Sequence, residues 1–274
     1  MYPITFFVAA THNDNERGKV MAYQSVNPYD GKLLKTFDEL TDKQLETAIA
    51  TADICFETWR HMTFSERATI AAKAAAIMRA RADEFARPIT LEMGKLSKQA
   101  RGEVMLSADI IDYDAKNAEC SLAPHCLKPS SGEAQIESTP FGVLFGVQPW
   151  NFPYYQLARS AAPNLMAGNV VMMKHARCVP QCAIAFEKLW LEAGAPAGAY
   201  TNLLISYDQV NRVIDDPRIK GVALTGSVEA GRRLRVERDK PLRSRRWSLA
   251  AATPSSCSKM PTSTRRSSGR SGAR

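Results

Sequence analysis

The chain has 274 residues, enough for one large or two ordinary domains with cores of their own. No apolar run approaches the length needed to span a bilayer, and the short apolar start Ile4–Ala10 has no basic flank before it, which argues against a signal peptide. The net charge of +8 suggests nucleic acid until it is located: residues 233–274 carry twelve of the 36 Lys and Arg but only two of the 28 Asp and Glu, leaving the first 232 residues at −2. A nucleic-acid argument for the whole domain therefore fails.

Six cysteines, Cys55, Cys120, Cys126, Cys178, Cys182 and Cys257, show no CxxC pairing. That pattern suits reduced thiols and a cytoplasmic location. Met21 is the expected natural start, with residues 1–20 a loose, disordered or non-native extension. Asn27-Pro28 and Asp30-Gly31 mark turns between short extended runs. Thr41 opens a helix, with Gln44 as its capping-box partner and Leu45, Ala48, Ile49, Ala52 and Phe56 at helical spacing. A second helix is expected from Ser65 to Ala86, stopped by Pro88, and a third from Lys98 to Ala118. These three helices, with an extended arm over Ile136–Thr139, form a covering layer spanning residues 21–139.

From Gly142 the rhythm changes. Val143–Val147, Val170–Met173, Leu203–Ile205 and Val222–Leu224 read as buried strands. Between them lie helices over Tyr155–Met166, Pro180–Ala193 and Gln209–Ile214, the second closed by Gly194. This alternation predicts an α/β fold in which residues 140–232 make the first half of a doubly wound parallel sheet. Ligands of such sheets bind beyond the carboxyl ends of the strands.

Three motifs stand at those ends. Pro149-Trp150-Asn151-Phe152-Pro153 follows the first strand, Lys174 ends the second, and Thr225-Gly226-Ser227 with Gly231 follows the fourth. Free N–H groups at the start of a helix favour a pyrophosphate at the last of these, although it is not the usual GxGxxG. In this order the motifs resemble those of the NAD(P)-dependent aldehyde dehydrogenases, over about Tyr23 to Arg232, and are most similar to the succinate-semialdehyde branch. The resemblance implies a Rossmann-like dinucleotide-binding domain, an aldehyde substrate, NADP or NAD as cofactor, and homo-oligomeric full-length relatives. No membrane or specific nucleic-acid partner is implied.

It also implies roles for residues. Asn151 matches the amide that stabilises the developing oxyanion. Arg159 matches an arginine that holds the distal carboxylate of succinate semialdehyde, the alternative being an ordinary surface ion pair. Lys174 matches the lysine that bonds the adenosine ribose. Arg177, where NAD-preferring members often have glutamate, either pairs with a 2′-phosphate or points to solvent. Trp150 lies either near the cofactor or in the core, and Gly226, Ser227 and Gly231 belong to the pyrophosphate site.

None of the six cysteines stands in the family's Gly-Gln-x-Cys nucleophile context. Cys178 and Cys182 lie one helical turn apart without acidic or histidine company, which does not suggest a metal, and His12, His61, His125 and His175 suggest no triad. The tail 233–274 is basic and of low complexity. Back-translated one base out of frame, Trp247–Pro254 can read Met-Glu-Leu-Gly-Gly-Ser-Asp-Pro, the family's glutamate motif. Ser255–Pro261 then continues as Phe-Ile-Val-Leu-Glu-Asp-Ala. A frame slip near Arg232–Val236 is expected, giving a truncated chain that lacks the general-base glutamate and the nucleophilic cysteine and is catalytically inactive. A non-specific nucleic-acid binder acting through the tail is the other reading.

Overall fold

Two antiparallel strands, β1 (Tyr23–Val26) and β2 (Leu33–Phe37), open the part of the chain that the computed structural model describes, residues 23–128, 132–226 and 247–249. The turn expected at Asp30-Gly31 joins them, with Gly31 in the left-handed region at φ 69°. Helix α1 (Asp42–Trp59) starts with the expected capping box: the Thr41 side chain accepts from the Gln44 backbone, and Gln44 accepts from the Thr41 N–H at 2.8 Å.

The second expected helix is two helices, α2 (Phe64–Ala80) and α3 (Ala82–Met93). The chain breaks at Arg81, and Pro88 lies inside α3 rather than ending it. Tertiary packing outweighs the lost hydrogen bond, because Phe85, Ala86, Ile89 and Glu92 on α3 are all buried. Helix α4 (Ser97–Ser121) follows, so the layer has four helices before the small hairpin of β3 (His125–Leu127) and β4 (Ala134–Ile136).

The larger sheet is wholly parallel. Its strands β5 (Val143–Val147), β6 (Val170–Lys174), β7 (Tyr200–Asn202), β8 (Ile219–Leu224) and β9 (Trp247–Leu249) stand in the order β7-β6-β5-β8-β9. The third strand sits three residues earlier than the apolar run Leu203–Ile205 indicated. Leu203 and Ile205 are buried beyond its end, with Tyr23 Oη donating to the Ile205 carbonyl at 2.8 Å.

The crossover helices are α5 (Pro153–Met166), α6 (Pro180–Ala193) and α7 (Tyr207–Asp215). The chain runs β5, β6, β7 in one direction and then crosses to β8 on the other side of β5. With right-handed connections, that reversal sends α7 to the face opposite α5 and α6. There it meets the start of α1: Gln209 Nε2 donates to the Leu40 carbonyl at 2.8 Å and Arg218 pairs with Glu46 at 2.8 Å. One hydrophobic core runs from Leu45 to Leu224 and joins helical layer and sheet. No helix among the described residues is long and apolar enough to cross a membrane.

Helices α5 and α6 both begin with proline and have no side-chain cap of their own. Their N–H groups are met from the helical layer. Glu103 of α4 accepts from Tyr154 and Tyr155 at 3.0 and 3.4 Å, and Glu92 of α3 accepts from Gln181 and Cys182 at 2.9 and 3.2 Å. Both carboxylates are buried, on helix faces otherwise lined by apolar or small residues. Burial raises the pKa of Glu92, and the two helix N–H bonds oppose that rise.

Glu92→Ala is expected to destabilise the protein by about 2–6 kcal/mol, from two orphaned donors at about 1–3 kcal/mol each. Urea unfolding of the variant beside the wild type measures it, and a loss below about 1 kcal/mol would remove Glu92 as the cap of α6.

Candidate active site

The register of the parallel sheet puts the three motifs on one edge. Val147 aligns with Lys174 on one side and with Leu224 on the other, so Gln148, His175 and Thr225 leave the sheet side by side. Two ladder bonds continue past the strands, from Gln148 N to the Lys174 carbonyl and from Thr225 N to the Val147 carbonyl, each 3.0 Å. Gly146 lets this edge close up, since a Cβ there would lie 2.2 Å from Met173 Sδ.

Asn151 sits in the loop between β5 and α5. Its Oδ1 is buried and has no hydrogen-bond partner among the described residues. Its backbone carbonyl accepts from Lys95 Nζ at 3.3 Å. Lys95 also pairs with Glu103 at 2.5 Å and lies 3.8 Å from the centroid of the Phe152 ring. Trp150 is 53% exposed, which removes its core alternative.

Arg159, two turns into α5, turns towards the same edge. One guanidinium nitrogen donates to Thr225 Oγ1 at 3.3 Å, and the group lies over the Tyr155 ring, 5.7 Å from its centroid. No carboxylate partner of Arg159 is found among the described residues' ion pairs, so the ordinary surface pair is not what the geometry shows.

Lys174 is buried between the rings of Tyr23 and Tyr207, 5.6 and 5.3 Å from their centroids, and donates to the His175 carbonyl at 3.3 Å. Burial, reinforced by the positive charge of Arg177, pulls its pKa down to about 8. Arg177 faces the same two rings at 5.3 and 5.4 Å and pairs with Glu39 at 2.5 Å. It is tied into this cluster rather than pointing to solvent. Two cations and one nearby carboxylate, flanked by the exposed ring of Tyr207, suit a phosphate-bearing ribose.

Gly226 follows Thr225 at the end of β8, while Ser227 and Gly231 lie outside the described residues. So do residues 1–20, the stretch 233–246 and everything after residue 249, Cys257 included. Cys182 is buried in α6, Cys178 is exposed just before it, and no metal-ligating cluster occurs among the described residues.

The aldehyde dehydrogenase family profile matches residues 15–250. The chain belongs to the aldehyde dehydrogenase family. A succinate-semialdehyde dehydrogenase [NADP(+)] of Deinococcus radiodurans is 44% identical over 209 residues, 76% of this chain and 44% of that protein. One from Mycobacterium tuberculosis is 40% identical over 214 residues, covering 77% of this chain and 47% of its own length. The crystal structure of succinic semialdehyde dehydrogenase from Streptococcus pyogenes in complex with NADP+ superposes with a TM-score of 0.80 at 44% identity, over 83% of this chain and 50% of that one. The chain thus spans about half the length of the curated relatives it matches.

His175, Lys95 and Glu103 support the same edge, and no motif in the sequence marks them. His175 is buried, with Nε2 3.1 Å from the Pro153 carbonyl and Nδ1 3.2 Å from that of Gln148. Ala176 N–H points at Nδ1 from 3.0 Å and needs a lone pair there. A neutral ring carries one N–H, so the proton belongs on Nε2, donating to Pro153, and the Gln148 carbonyl is only a contact. For Glu103 a signal existed: it falls on the α4 face shared by Ala100, Val104, Ser107 and Ala108, where a carboxylate is out of place unless it is paired.

Burial holds the His175 pKa at about 4, below its ordinary 6.5. On acidification the unfolded chain therefore takes up this proton first. Stability tied to the ring is complete above pH 6.5 and is lost as the pH falls towards 4, about 3 kcal/mol at about 1.4 kcal/mol per pH unit. His175→Gln removes that slope, so the stability gap between wild type and variant should shift between pH 7 and pH 5. A gap that stays constant in urea unfolding across that range would show that His175 does not titrate in this way.

Proposed function

We propose that this sequence encodes part of an oxidoreductase that converts succinate semialdehyde to its acid with reduction of NADP or NAD. The observation that carries the reading is the convergence of Asn151, Arg159 and Lys174 on one edge of the parallel sheet. The dinucleotide supplies a hydride acceptor when bound. Asn151 offers its amide to the oxygen of the aldehyde as charge develops there. Arg159, whose fork is engaged at one nitrogen by a neutral hydroxyl, grips the distal carboxylate. Lys174 holds the adenosine ribose, Arg177 accepts a 2′-phosphate, Trp150 covers the cofactor, and Gly226, Ser227 and Gly231 take the pyrophosphate. The relatives, succinate-semialdehyde dehydrogenases named for NADP, support that cofactor and succinate semialdehyde.

The 274 residues contain no cysteine in the nucleophile context and no in-frame glutamate motif. We therefore infer that this chain alone turns over no aldehyde, and that a one-base slip near Arg232–Val236 accounts for the tail. Resequencing the coding DNA between the Gly231 and Trp247 codons decides it: an in-frame reading that leaves the present tail intact would end the idea.

Two binding and kinetic outcomes test the rest. Calorimetric titration of the chain should show NADP binding that Arg177→Ala weakens about tenfold, the loss of roughly one charge-assisted contact, with NAD affected much less. Equal weakening would remove the 2′-phosphate role. In an intact relative, replacing the arginine equivalent to Arg159 with alanine should raise KM for succinate semialdehyde far more than for an uncharged aldehyde, and equal effects on both would sink the carboxylate grip.

A further inference from the structure

The loop that carries Asn151 has little to hold it by burial. Trp150 and Phe152 are 53% and 43% exposed, and the prolines at 149 and 153 have no N–H to give. Its position must come from polar anchors. At its ends, Gln148 N donates to the Lys174 carbonyl and the Pro153 carbonyl accepts from His175 Nε2–H. Between them the Phe152 carbonyl takes the first helical bond of α5, from Gln156 N at 3.0 Å, and Lys95 is the one side chain that reaches the loop's backbone, among the hydrogen bonds of the described residues.

Lys95 is placed to do this with little freedom. Helix α3 ends at Gly94, in the left-handed conformation at φ 71°, and α4 begins at Ser97, so Lys95 sits in the tight connection between them. Its side chain is 11% exposed and that of Glu103 1%. One ammonium therefore meets three things at once: the Glu103 carboxylate, the face of Phe152 and the carbonyl of Asn151. Glu103 in turn spends its other oxygen on Tyr154 and Tyr155, the first N–H groups of α5.

We propose that Lys95, held by Glu103, is the positioning residue that fixes the Asn151 carboxamide at the sheet edge. The ammonium ties the carbonyl of Asn151 to the same carboxylate that caps α5, so loop and helix start are set by one group. The direction of the Asn151 side chain then follows from its anchored backbone. An ion pair serving stability alone would need no contact with residue 151. The inference rests on Asn151 being the oxyanion donor, but its test does not use activity.

The test is nuclear magnetic resonance on the full chain labelled with 15N-asparagine, together with amide exchange across residues 151–160. The Asn151 carboxamide pair is identified by its loss in Asn151→Asp. Lys95→Met keeps the apolar stem against Phe152 and removes the ammonium. We expect the Asn151 carboxamide signals to move or broaden and the Phe152 amide to exchange about tenfold faster, as one anchoring bond is lost. The Tyr154 and Tyr155 amides should stay protected by Glu103.

Unchanged Asn151 signals in Lys95→Met would overturn the proposal. So would loosening spread evenly through α5, which marks a general loss of stability. If Lys95→Met does not fold, Lys95→Arg reads the same point: a broader cation cannot keep all three contacts, so the Asn151 signals must move, and unmoved signals overturn the proposal. Failure here, with the Arg159 and Arg177 outcomes intact, would remove Lys95 and leave the family function standing.

Discussion

Two buried carboxylates tie this structure together. Proline at the first position of α5 and α6 pre-sets the helical backbone but brings no capping side chain, and it leaves the next N–H groups facing the helical layer. Glu103 and Glu92 answer them across the layer boundary. The far end of α5 is treated the same way: Trp59 Nε1 donates to the Leu165 carbonyl at 3.1 Å and Arg67 Nε to that of Met166 at 3.0 Å. Acid at the helix start and a cation at its end both agree with the helix dipole. The sheet's crossover helices are therefore completed by side chains from a different part of the chain. Separating the layers would orphan buried N–H and C=O groups as well as exposing apolar surface.

This dependence explains what could be read in advance and what could not. Local signals were legible: the Thr41 capping box, the strand Val143–Val147, helix α6 with Gly194 behind it, and the doubly wound order all follow from neighbours in sequence. The break at Arg81 and the survival of α3 through Pro88 were not, because they are decided by what α3 packs against. Strand β7 was misplaced for the same reason. Leu203–Ile205 looks more like a strand than Tyr200–Asn202, but the ladder with β6 closes at the Leu203 N–H, which donates to the Met173 carbonyl, and Leu204 and Ile205 lie past it.

The site divides along the same line. Asn151, Arg159 and Lys174 stand at strand ends or on the first turns after them, where position alone marks them out. Lys95, Glu103 and His175 hold that edge from behind and look unremarkable in a linear reading. His175 even counted as one of several scattered histidines, since its partners are two backbone carbonyls and a backbone N–H, which leave no pattern in sequence. A charged residue on a helix's apolar face, as Glu103 is, remains the one signal of this kind that a sequence carries.

The proposed cofactor end shows how such support shapes selectivity. Lys174 and Arg177 lie close enough for the charge of one to depress the pKa of the other, and both share the rings of Tyr23 and Tyr207. Glu39 already holds one guanidinium nitrogen of Arg177. On the proposed reading, a ribose 2′-phosphate gains attraction from both cations but exchanges partners with Glu39, or accepts its repulsion. Preference for NADP over NAD is then the difference between two charge-assisted contacts and does not follow from the arginine alone. Position 39 belongs to the segment between the first hairpin and α1, far in sequence from the lysine strand, so on the proposed reading the discrimination between cofactors is set where the helical layer meets the sheet.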